Sequence, residues 1–217
     1  MGFGLLFTGY AMLLVWGMTI DPSIGLGFDI LPDVLAYLLF WKGLQGLRPY
    51  SKNFVYAQYL TFPLLAAGGV TFAAQGVALI GKWVPAIAKH WELLLTVINT
   101  VDTVSIPLLF FFHAYLCLGI RELADEVELP KIVFRTKVAI VLSSVYYFGN
   151  LLVGILPLPG FLHWILALLT FVVYFYYLFL LYSCYMHIVY ADEEPKEVFN
   201  PLMSLLDKMK KNSSDNK

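Results

Sequence analysis

Residues 161–190, FLHWILALLTFVVYFYYLFLLYSCYMHIVY, contain no Asp, Glu, Lys or Arg. A hydrocarbon core of about 30 Å is crossed by roughly 20 helical residues rising about 1.5 Å each, so this run can span a bilayer as one helix. It lacks the alternation over segments of about ten residues that a transmembrane strand needs, which argues against a β-barrel. Five more apolar runs precede it: Phe3–Ile20, Ile30–Leu47, Phe54–Ile80, Trp91–Ile120 and Val138–Leu156. The second contains Lys42, close enough to a helix end to snorkel to the headgroups. The sequence therefore predicts an all-α fold, a polytopic transmembrane helix bundle of six spans forming one domain over residues 1–190.

Composition agrees. Sixty per cent of the 217 residues are apolar and 13% are charged, and the mean hydropathy is +0.76. That is more apolar surface than a soluble domain could cover, so the lipid bilayer is the expected solvent. The net charge of -1, with nearly all charges in short connections and the tail, gives nucleic acid no basic face to bind.

Orientation follows from the basic residues, because cytoplasmic loops retain Lys and Arg. One side collects Lys42, Arg48 and Lys52, then Arg121, Lys131, Arg135 and Lys137, then Lys196, Lys208, Lys210, Lys211 and Lys217. The other side has Lys82 and Lys89. This predicts both termini in the cytoplasm. The first run has no basic residue before it and no small-x-small cleavage pattern, so it reads as a retained span. Cys117 and Cys184 fall near cytoplasmic helix ends, where thiols stay reduced, and no disulfide is expected.

The fourth run carries the clearest chemical signal. Glu92, Asn99 and His113 recur at multiples of seven, and Thr96, Asp102 and Thr103 fall beside them at about 100° per residue. Asp102 would lie near the bilayer midplane, where an ionised carboxylate costs at least about 2.5 kcal/mol unless paired, hydrated or protonated. Pro107 frees a backbone carbonyl nearby. Partners stand on other spans: Ser143, Tyr147 and Asn150 on the fifth, His163, Thr170, Tyr174 and Tyr177 on the sixth. Two readings follow. Either these groups surround a polar cavity that binds or passes a small molecule or ion, or they are interhelical hydrogen-bond glue in a structural or regulatory membrane protein.

The connection Asp21-Pro-Ser-Ile-Gly-Leu-Gly-Phe-Asp-Ile-Leu-Pro-Asp33 brings Asp29 and Asp33 around Pro32 at a helix start. They read as first-turn caps, or, with Asp21, as an acidic mouth for a cation. His113 and Cys117 on the fourth helix could pair with Cys184 and His187 on the sixth as a two-Cys, two-His metal set, and haem between His113 and His187 is a more remote version. No H-E-x-x-H, G-x-S-x-G or Walker A motif occurs, so nothing indicates catalysis and no cofactor is assignable.

The Asp29-Ile-Leu-Pro-Asp33 run, together with Gly119-Ile-Arg-Glu-Leu-Ala124, resembles a group of small multi-span membrane proteins of Gram-positive bacteria in which such a run opens the second helix. The resemblance implies a multi-span fold in a bacterial cytoplasmic membrane, and no activity. A membrane partner subunit or a second copy of the chain stays open. In the tail, residues 191–217, Asn200-Pro201 is a cap and first-turn proline, which predicts a short amphipathic helix over about 201–211.

Overall fold

The computed structural model describes residues 2–13, 18–21, 26–28, 33–81, 84, 90–155 and 159–188. Six helices carry nearly all of them: α1 (Gly2–Leu13), α2 (Asp33–Leu47), α3 (Lys52–Gly81), α4 (Trp91–Glu126), α5 (Pro130–Ile155) and α6 (Gly160–His187). Between α1 and α2 lies a short antiparallel pair, β1 (Met18–Asp21) and β2 (Leu26–Phe28). The fold class is all-α, and α3, α4, α5 and α6 are long and apolar enough to cross a membrane.

The first apolar run is not helical to its end: within Phe3–Ile20, residues 3–13 are α-helix and residues 18–20 belong to β1. In the second, Asp33–Leu47 is α-helix, and residues 30–32 lie outside the described residues. Pro22 and Gly25 separate β1 from β2 in sequence, and β-branched Thr19 and Ile20 favour extended backbone. Met18 pairs with Phe28 and Thr19 with Gly27, with an irregularity before Asp21 pairs with Leu26. Two other helices are longer than their apolar runs. α4 continues through Arg121–Glu126, and α5 starts at Pro130 rather than Val138, because a helix does not stop where its side chains become polar.

Each helix packs on its neighbour in sequence, and α6 returns to pack on α1, closing a ring. One end of this ring is tightly fitted. A methyl added at Gly43 would lie 2.8 Å from the Gly2 carbonyl oxygen, and one at Gly119 would lie 2.7 Å from the Phe54 ring. Ser51 caps α3 by accepting from Asn53 N–H at 3.0 Å. Its hydroxyl also donates to Glu122 of α4, whose other carboxylate oxygen accepts from Asn53 Nδ2 at 2.8 Å. The Gly119–Ala124 segment thus has a packing role: its glycine admits Phe54, and its glutamate ties two helices together.

At the same end α4 closes in a Schellman turn, with Leu129 N–H donating to Ala124 O at 2.8 Å and Glu128 in the left-handed region at φ 55. Pro130 then opens α5, where its missing N–H costs nothing. Arg135 joins α5 to α6, donating to Ser183 Oγ at 2.8 Å and lying 4.5 Å over the Phe179 ring. We call this the closed end. Every described Lys and Arg (Lys42, Arg48, Lys52, Arg121, Lys131, Arg135 and Lys137) lies toward it. Toward the opposite, open end no residue of α4 before Phe112 is buried, none of α6 before Val173 and none described in α5 after Tyr147. The outward side chains are large and apolar, as with Trp164 at 77% exposure and Leu168 at 68%, which is the surface that lipid would cover.

Candidate functional site

α2 begins beside the middle of α3, because Gly68 lets it. A methyl at Gly68 would meet the Tyr37 ring at 3.3 Å and Asp33 Cβ at 3.5 Å. This close approach sets Asp33, the first residue of α2, into a cleft of about 200 Å³ between α2, α3 and α4. Asp102 comes into the same cleft from α4. Tyr37, Thr71 and Ser105 complete its polar lining, and Ala67, Gly68 and Leu109 its apolar lining. Two carboxylates from separate helices, with three hydroxyl-bearing side chains, therefore converge where a short helix starts. Both carboxylates lie within electrostatic reach of the Tyr37 phenol.

The remaining members of the expected stripe on α4 do not share this cleft. Asn99 is exposed and, with Thr96, Thr100 and Thr103, lines an open hollow of about 360 Å³. Thr96, Thr100 and Thr103 each donate to the carbonyl four residues back, at 2.7 Å, which satisfies them within their own helix. His113 points into the centre of the ring. The stripe divides because a 3.6-residue helix drifts by about 20° per seven residues, or about 60° from Glu92 to His113.

In the interior His113 is buried, with Nδ1 2.6 Å from Leu109 O and 3.1 Å from the Tyr147 hydroxyl. The carbonyl can only accept, so Nδ1 carries the proton in that contact. Rings surround the imidazole: Tyr177 at 4.6 Å, Phe112 at 5.4 Å, and Tyr10 and Tyr147 at 5.6 Å. The Tyr177 hydroxyl pairs with Ser143 Oγ at 2.8 Å and Cys117 Sγ at 3.3 Å. Tyr174 lies 6.4 Å from Tyr10 and within electrostatic reach of Asp33.

Other candidates sit apart. Asn150 donates to Tyr146 O at 2.8 Å in its own helix, and His163 is exposed on α6. Asp29 and the tail helix over 201–211 lie outside the described residues. The four-residue metal set is not assembled. Cys117 is engaged by Tyr177, His187 is exposed with its ring on Ser183 O at 2.8 Å, and no group of three or more metal-ligating side chains forms among the described residues. The two imidazoles of the haem reading are likewise split, one buried among rings and one exposed at the end of α6.

Tyr37, Thr71 and Ser105 were missed by sequence reasoning, and so was Tyr10. Two of them carried a signal: Tyr37 stands four residues after Asp33 and Ser105 three after Asp102, the spacings that share a helix face. No protein-family model, no curated protein and no solved structure matches the chain.

Proposed function

We propose that this chain is a six-span protein of the bacterial cytoplasmic membrane, with both termini inside, whose cleft between α2, α3 and α4 binds a small cation. The convergence of Asp33 and Asp102 carries the reading. Carboxylate and hydroxyl oxygens are hard donors suited to Na⁺ or Ca²⁺. Two carboxylates in one cleft repel each other, and a cation between them removes that repulsion. Asp33, as the first residue of α2, sits where the positive end of the helix favours a carboxylate. Short helices that begin near the middle of longer ones are a recurrent way to build ion sites in transporters, and α2 has that form. The orientation rests on the distribution of Lys and Arg along the sequence, twelve on one side against Lys82 and Lys89 on the other; those two lie outside the described residues.

The test is a binding titration of purified protein in detergent with Na⁺ and with Ca²⁺. Wild type is expected to bind one of them saturably. Asp102→Asn and Asp33→Asn should each weaken that binding by about tenfold or more, the scale of a lost charged partner. Binding of neither ion, or unchanged binding in both variants, would favour the alternative that these polar residues only hold helices together.

A further inference from the structure

Where α5 meets α6 at the closed end, Arg135 is held in place by neutral groups. It follows Pro130, the first residue of α5, by little more than one turn and is half-buried. One guanidinium nitrogen donates to Ser183 Oγ at 2.8 Å, and the central carbon lies 4.5 Å from the middle of the Phe179 ring. Ser183 donates its own proton to Phe179 O at 2.8 Å, which leaves its oxygen free to accept from the arginine. The Tyr176 hydroxyl donates to Arg135 O at 3.1 Å, so the backbone of the same turn is tied to α6 as well. Arg121 of α4 has Asp125 at 3.7 Å, whereas Arg135 forms no ion pair with a described carboxylate. A guanidinium carries five N–H donors in a planar fork. Its charge and most of that fork are therefore unmatched among the described residues.

The surroundings narrow the chemistry of the missing acceptor. Lys131 stands one turn before Arg135 on the same face of α5 and is exposed, which puts a second positive charge toward the aqueous side of the first. Phe179 under the guanidinium is 50% exposed, and Phe175, one turn further from the closed end, is 61% exposed. A small soluble anion would neutralise the charges and leave these rings uncovered. A phosphodiester on acyl chains matches both parts. Its two free oxygens suit bidentate pairing with the fork, and a chain beside it covers the rings. Basic positions at the cytoplasmic ends of helices recognise lipid headgroups in this way.

We infer that the α5–α6 seam at Arg135 binds the phosphate of an anionic phospholipid, with an acyl chain lying over Phe179 and Phe175. Arg135 supplies the fork, Ser183 and Phe179 fix its direction, and Lys131 adds the second charge. The cleft between α2, α3 and α4 takes no part, so the lipid site and the cation site can fail separately.

The test is native mass spectrometry of the full-length protein released from detergent, with dioleoylphosphatidylglycerol or dioleoylphosphatidylcholine added. Wild type should retain one phosphatidylglycerol in preference to phosphatidylcholine. Arg135→Gln keeps a donor for Ser183 and loses the charge, and should weaken retention about tenfold, the scale of a lost charged hydrogen bond. Lys131→Gln should weaken it about fivefold. Lys137→Gln removes the same charge from the opposite face of α5, about 200° around the helix from Arg135, and should change nothing. If Arg135→Gln does not fold, the two exposed lysine variants still decide the matter. Equal retention of both lipids, unchanged retention in folded Arg135→Gln, or equal weakening by Lys131→Gln and Lys137→Gln overturns the site. Inorganic phosphate binding as tightly as the lipid also overturns it. Phosphatidylglycerol binding that emerges only when Asp192, Glu193 and Glu194 are replaced by Asn, Gln and Gln would make the chain's own acidic tail the occupant, and overturns it too.

Discussion

The two ends of the bundle are built from the same helices on different terms. At the closed end glycines bring backbones into contact, as with Gly43 against the Gly2 carbonyl, and polar groups are spent on fixed partners, as with Glu122 on Ser51 and Asn53. Toward the open end α4, α5 and α6 bury little against each other, and Gly69 and Gly76 of α3 have nothing within 4 Å of an added methyl. The acidic cleft lies at the boundary between them. A protein that must hold its shape and still admit a ligand needs both arrangements, a rigid base and a region with space in it.

Breaking the closed end should cost the most. Gly43→Ala places a methyl 2.8 Å from a backbone oxygen and 3.1 Å from Leu6 Cγ. Backbone cannot swing aside as a side chain can, so a loss of about 2–3 kcal/mol is expected in denaturant titrations in micelles. Glu122→Ala removes both bonds to α3 and leaves buried Ser51 without its acceptor. A loss of about 1–2 kcal/mol should follow, largely restored by Glu122→Gln only if geometry matters more than charge. At the open end the sign should reverse. Gly76→Ala meets nothing within 4 Å and should gain up to about 0.5–1 kcal/mol from helix propensity. A loss there would show that a segment beyond the described residues, or another molecule, packs on that face.

The sequence made the long helices readable because four apolar runs exceed any strand. It misread the end of the first because an apolar run alone does not separate helix from strand, and Thr19 and Ile20 lie in β1. The site was half legible. Asp102 stood out as an acid deep in a span, and Asp33 as a first-turn residue, but each was read within its own segment. Their meeting depends on Gly68 admitting the start of α2, a contact between distant residues that periodicity does not carry. The His–Cys pairing failed for the matching reason: helical spacing puts Cys184 and His187 near one face, while the ring closure buries Cys184 and leaves His187 exposed.

The account stands on the cleft being a cation site reached from the outer face. Both native thiols are buried, so a cysteine placed in the cleft by Ser105→Cys can be followed with an impermeant thiol reagent in oriented vesicles. Labelling from the outer face, slowed when the bound cation is present and unslowed in the Asp102→Asn background, is the expected result. Labelling only from the inner face, or at a rate that no cation changes, would contradict it.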